Sequence, residues 1–194
     1  MPLSSAVARE HIHTRRVHCQ GFRRTDGLWD IEGHITDVKT YGFGNRERGD
    51  VPPGSPIHDM SIRLTVDDTL TIQAVEAVTD ASPYRICPNV TPNFQRLVGL
   101  RIGPGFRKQV RERLGGTEGC THLVELLGPV GTTAFQTVMP LIQRDLYKRS
   151  KSGGPTDTAK PRPRPALLNS CYAFSEEREV VARQWPEFAK KPGS

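Results

Sequence analysis

The spacing of apolar residues changes once along this chain, and that change limits the folds open to it. Before Cys87 apolar and polar residues alternate; after it the apolar residues recur at helical spacing. In "LWDIEGHIT", Trp29, Ile31 and Ile35 fall on one face, and Leu28, Asp30, Glu32, His34 and Thr36 on the other, the period of a half-buried strand. In "IHDMSIRLTV", His58, Met60, Ile62, Leu64 and Val66 alternate with Asp59, Ser61, Arg63 and Thr65, and Leu70 and Ile72 resume the apolar face. Thr25-Asp26-Gly27 and Asp67-Asp68 read as the turns of two hairpins, because Asp and Gly tolerate the backbone angles that tight turns need. Strands first and helices after predict an α+β domain, an antiparallel sheet with about three helices on one face.

The helical half has its own punctuation. "CPNVTPNFQRLVG" carries Val90, Phe94, Leu97 and Val98, with Pro88 in the first turn and Gly99 at the end. "GPGFRKQVRERLGG" repeats that grammar with Phe106, Val110 and Leu114. The third segment, from about Gly119, has a wide apolar stripe from Leu123 to Ile142, in which Pro129 predicts a kink or a break. "YGFGNRERGDVPPGSP" reads as a long loop. The domain plan is an N-terminal arm over 1–14, an α+β core over 15–149, a Pro/Gly/Lys-rich linker over 150–165 and an apolar segment over 166–194 expected to dock back.

Composition narrows the function classes. The 194 residues contain 36% hydrophobic and 25% charged side chains, enough for one folded core. No apolar run reaches the roughly 18 residues of a membrane span, and the N-terminus lacks the apolar core of a secretory signal, so a cytoplasmic protein with no membrane partner is expected. The net charge is +6. Its basic residues are scattered, with no aromatic-flanked basic patch and no zinc-finger spacing, so nucleic acid is not an expected partner. An unidentified protein or a small-molecule substrate is. Four cysteines, Cys19, Cys87, Cys120 and Cys171, lie far apart with no CxxC pair, and read as free, buried or site thiols.

Two of them head helical segments. Cys87 precedes Pro88, and Cys120 in "GGTEGCTHL" precedes the third segment. Helix N-termini present free N–H groups and partial positive charge, which suit a reactive or metal-binding sulfur. His122 follows Cys120 by two residues; the pair converges only if Cys120 lies in a non-helical cap. "IHDMS" adds His58 or Asp59. Cys87, Cys120, His122, His58 and Asp59 are therefore the candidate metal ligands, for zinc, iron or an iron–sulfur cluster. The competing reading makes Cys120 a nucleophile and His122 its base, with Glu125 or Asp59 as orienter. The plain alternative treats the cysteines as packed cap residues and His58 as a core histidine in phase with Met60 and Ile62.

"RTDGLWDIEGHITD", "IHDMSIRLT", "LVGLRIGPGF", "GGTEGCTHLVELL" and "NSCYAF" together resemble a bacterial family known as domain of unknown function 2889, over roughly Arg15 to Trp185. His58 to Ile142 also resembles the NifU/IscU-type iron–sulfur scaffold fold. That likeness implies metal ligands at Asp59, Cys87 and Cys120, and matches "LVGLRI" to the segment closing the first helix at Gly99. The scaffold's further Cys is Ile57 here, and its His before the last Cys is Gly119. The shell it implies is thus Cys87 and Cys120 with some of His58, Asp59 and His122. Three functions follow: a metal- or iron–sulfur-binding accessory protein, a small cysteine-dependent enzyme on an acyl or thioester substrate, or a non-catalytic binding module with structural cysteines.

Overall fold

A computed structural model of the chain describes residues 3–151, 164, 165 and 167–190. The chain divides into two compact units, Met1–Lys148 and Arg149–Ser194. Residues 3–12 form no regular element and are exposed. The first unit is built on four long strands, β1 (His13–Arg23), β2 (Trp29–Lys39), β5 (Pro56–Val66) and β6 (Ile72–Ala81), antiparallel in the order β1-β2-β5-β6. Between β2 and β5 lies a small hairpin of β3 (Phe43–Asn45) and β4 (Gly49–Val51). Here the sequence reading expected only loop. The Asn45 side chain accepts the backbone N–H groups of Glu47 and Arg48, both at 2.9 Å, and Gly49 supplies the positive φ, so a tight turn forms.

The alternation places Trp29, Ile31, Ile35, Met60, Ile62, Leu64 and Val66 in the core, as the period requires. The opposite face stays polar, with Glu32, Arg63 and Glu76 in one ion-paired row. Helical segments cover the apolar face: a 3-10 helix (Cys87–Leu97), α1 (Phe106–Leu114) and α2 (Thr121–Lys151). Phe94, Leu97, Phe106, Val110, Leu126, Val130 and Val138 share one core with the sheet. The first segment is 3-10, and Pro92 within it opposes a regular α-helix through the clash of its ring with the carbonyl four residues back and its restriction of Thr91. Pro129, expected to kink or break the third segment, does not end it: α2 runs on through both Pro129 and Pro140. Around Pro129, Leu126, Leu127, Val130 and Ala134 are all buried, and their packing outweighs the backbone hydrogen bond lost there.

Four donors of the β5–β6 turn converge on the side chain of Asp67. Asp67 accepts from Thr69 N at 2.8 Å, Thr69 Oγ1 at 2.7 Å, Thr71 N at 3.0 Å and Gln73 Nε2 at 2.8 Å. Burial pushes its carboxyl up, but these donors together hold it below the ordinary carboxylate value. A depressed folded value stabilises above the unfolded pKa and is lost as pH falls through the folded one. Asp67→Ala is therefore expected to cost about 1–2 kcal/mol at pH 7 in urea unfolding, and the gap to wild type should shrink below about pH 4. An unchanged gap at pH 3 would refute the assignment.

In the second unit, Phe174 packs on Trp185 with ring centroids 5.3 Å apart, beside the short helix α3 (Glu179–Gln184). Glu176 is held by Arg164 and Lys190, each at 2.7 Å. The linker expected over 150–165 lies largely outside the described residues.

Candidate metal centre at the head of the long helix

Three strands supply one rung of the site. Arg15, Asp37 and His58 are direct cross-strand neighbours on β1, β2 and β5. Asp37 shares the parity of Trp29, Ile31 and Ile35, so it points into the packed face and is only 2% exposed. A register shift between β2 and β5 follows it directly, as bulges commonly do beside sites. A carboxylate buried on an apolar face must find partners. Asp37 Oδ1 accepts Arg15 Nε at 2.8 Å and contacts His13 Nε2 at 3.0 Å; Oδ2 accepts Arg15 Nη2 at 2.9 Å and contacts His58 Nδ1 at 3.1 Å. Arg15 Nη1 also reaches Glu125 on α2 at 2.8 Å.

α2 brings the fourth part. Its first helical residue is Thr121, so Cys120 occupies the non-helical cap and its carbonyl accepts Val124 N. There Cys120 and His122 converge: Sγ lies 3.9 Å from His122 Nδ1 and 3.8 Å from Met60 Sδ. The His122 ring lies over His58, with centroids 3.7 Å apart and planes tilted by 31°. Donor atoms of Asp37, His58 and His122 all lie within 4.8 Å of one another.

The electrostatics favour neutral imidazoles. Burial lowers the pKa of His58, and neighbouring His122 lowers it further, against the opposing pull of Asp37. Burial, and then the Arg15 charge, lower His122. Asp37 is pushed up by burial, yet the Arg15 fork and His58 hold it below the ordinary carboxylate value. The site thus offers a carboxylate and two uncharged rings, the forms that bind metals.

The fold brings together three of the residues picked out in the sequence and places two elsewhere. His58, Cys120 and His122 come together. Asp59 has the opposite strand parity and meets His34 Nε2 at 2.6 Å on the other face. Cys87 opens the 3-10 helix, and among the described residues the three-donor group contains neither cysteine. All four cysteines are free thiols. Sequence reasoning did not select Asp37 as a ligand and gave Arg15 and His13 no role. Strand parity could have found Asp37, since its odd position shares the face of Ile31 and Ile35; the strand register that gives it Arg15 and His58 has no local signal.

A family sequence model described as "Protein of unknown function (DUF2889)" matches residues 13–136, which span the sheet, α1 and the first half of α2. No curated protein and no solved structure matches the chain.

Proposed function

For a chain that belongs to the DUF2889 family, a name that carries no activity, we propose a single divalent transition metal, zinc or iron(II), bound by Asp37, His58 and His122. The observation that carries this is the mutual approach of one carboxylate and two imidazoles on a rigid sheet and a helix head. Two histidines and a carboxylate form a common donor set for zinc and for mononuclear iron, with positions left open for substrate. An iron–sulfur cluster fits less well, since clusters are held mainly by thiolates. The 3.1 Å between His58 Nδ1 and Asp37 Oδ2 is a suitable edge for two ligands of one ion. A bound metal would take the place of the proton of that hydrogen bond, and the Arg15 fork would keep the carboxylate oriented from outside the shell. The function we infer is that of a metal-binding accessory protein, as the sequence suggests, with its donors shifted from cysteine to Asp37.

Elemental analysis of protein purified without oxygen or added metal tests this. Near-stoichiometric zinc or iron is expected in wild type and in a Cys87→Ser/Cys120→Ser variant. It should disappear in His58→Ala/His122→Ala. Metal lost only from the cysteine variant would move the site to the thiols, and a wild type that takes up no zinc even on titration would end the proposal.

The 3.9 Å between Cys120 Sγ and His122 Nδ1 supports a second reading, in which Cys120 is the nucleophile of a small thiol enzyme and His122 its base. On that reading iodoacetamide modifies Cys120 well ahead of Cys171, which is exposed, and His122→Ala removes the preference.

A further inference from the structure

Beside the His-Asp cluster, a cleft of about 480 Å³ opens between β1, α1 and α2. That volume falls within the range of small-molecule sites. Its floor is apolar and fixed: Ile35, Phe106, Val110, Leu126 and Leu127 are buried core residues that also line it. Its rim is charged, with Arg15, Arg107, Arg111 and Glu125. Glu125 is occupied by Arg15, which also holds Asp37. Arg107 and Arg111 have no acidic partner among the described residues. They stand four apart on α1, one above the other, where like charges repel and destabilise a helix unless an anion lies between them.

We infer that this cleft binds a small organic anion, its apolar body on the Phe106–Val110–Leu127 floor and its oxyanion head, carboxylate or phosphate, between Arg107 and Arg111. Guanidinium forks match both heads in geometry, and the adjacent floor rewards an apolar body that a bare inorganic ion lacks. Arg15 lines the cleft and also holds Asp37, so the cleft adjoins the Asp-His group. The binding itself does not need a metal there.

Isothermal titration with four probes tests this: 4-phenylbutanoate, 4-phenylbutyl phosphate, the neutral 4-phenylbutanamide and inorganic phosphate. One of the two amphipathic anions should bind one per chain, at least tenfold more tightly than the amide and than inorganic phosphate, and the stronger identifies the head group. Arg107→Ala/Arg111→Ala should bring that anion to the affinity of the amide; both residues are exposed, so the fold should be retained. Added salt should weaken the anion and leave the amide unchanged. His58→Ala/His122→Ala should bind the anion as wild type does, which separates this inference from the metal proposal. An amide that binds as well as the anions, an arginine variant with unaltered anion affinity, or a wild type that binds no probe would overturn it.

Discussion

Asp37→Ala is expected to destabilise the protein by about 2–4 kcal/mol, seen as a lower urea midpoint with an unchanged slope. Asp37 is buried, and it gathers the Arg15 fork, His13 and His58 at distances from 2.8 to 3.1 Å. Truncation leaves the His58 N–H without its acceptor and removes the main counter-charge of Arg15. The loss is below that of a fully enclosed pair, because Arg15 and His13 keep partial access to water and Arg15 keeps Glu125. Asp37→Asn does not rescue, since its amide turns N–H donors toward groups that already donate. Glu32→Ala is the control: Glu32 lies on the same strand but on the open face, half exposed beside Arg63, and its loss is expected to cost at most about 1 kcal/mol. The assignment fails if Asp37→Ala is no worse than Glu32→Ala. The sign with pH follows from the depressed carboxyl. The stabilisation from Asp37 is present above the unfolded carboxylate pKa and disappears as pH falls through its lower folded value. The two proteins should therefore converge in acid.

Gly33→Ala is the second large effect, at about 2–3 kcal/mol, from overpacking. Gly33 sits in β2 between Ile31 and Ile35, on the face that receives α2. A Cβ there runs into Val130 Cγ2, and lies 3.2 and 3.3 Å from Leu126 Cγ and Cδ1. Both side chains are buried and have nowhere to turn. Glycine in a strand usually weakens it. Here it sets how closely the long helix lies on the sheet, and Gly21 in β1 does the same against Thr137. The collision is specific, so it can be relieved. Val130→Ala alone leaves a cavity and is itself destabilising. Combined with Gly33→Ala, it should give a protein at least 1 kcal/mol more stable than the sum of the single changes predicts. Strict additivity would mean that the helix does not rest on Gly33. Since α2 carries Cys120 and His122 at its head, a raised helix should also spread the His58–His122 pair.

How much was legible from the chain depends on the range of the interaction. The switch of period before Cys87 identifies the strand and helix halves, because burial of one face imposes period two on strands and near four on helices. Turn chemistry marks Asp26-Gly27 and Asp67-Asp68 for the same local reason. Pro129 does not break the helix, because a proline's local cost is weighed against packing that lies far off in sequence. Cys87 drew attention by heading a segment, yet what that segment faces is set by tertiary contacts. His58 showed its inward face through its phase with Met60 and Ile62. Asp37 shares that kind of phase with Ile31 and Ile35, but an acidic residue on a strand is more often solvated, and nothing nearby announces its partners.

The sequence by itself determined the strand and helix halves, the inward faces of the strands carrying Trp29 and Met60, and the condition under which Cys120 and His122 converge, because each depends on neighbours a few residues away. Tertiary structure alone decided that Arg15, Asp37 and His58 form one rung, that His122 lies over it, and that Arg107 and Arg111 stand at a cleft with no acidic partner among the described residues. Those facts follow from strand register and from the height at which α2 rests on two glycines. Both are set by side chains that meet only once the chain has folded.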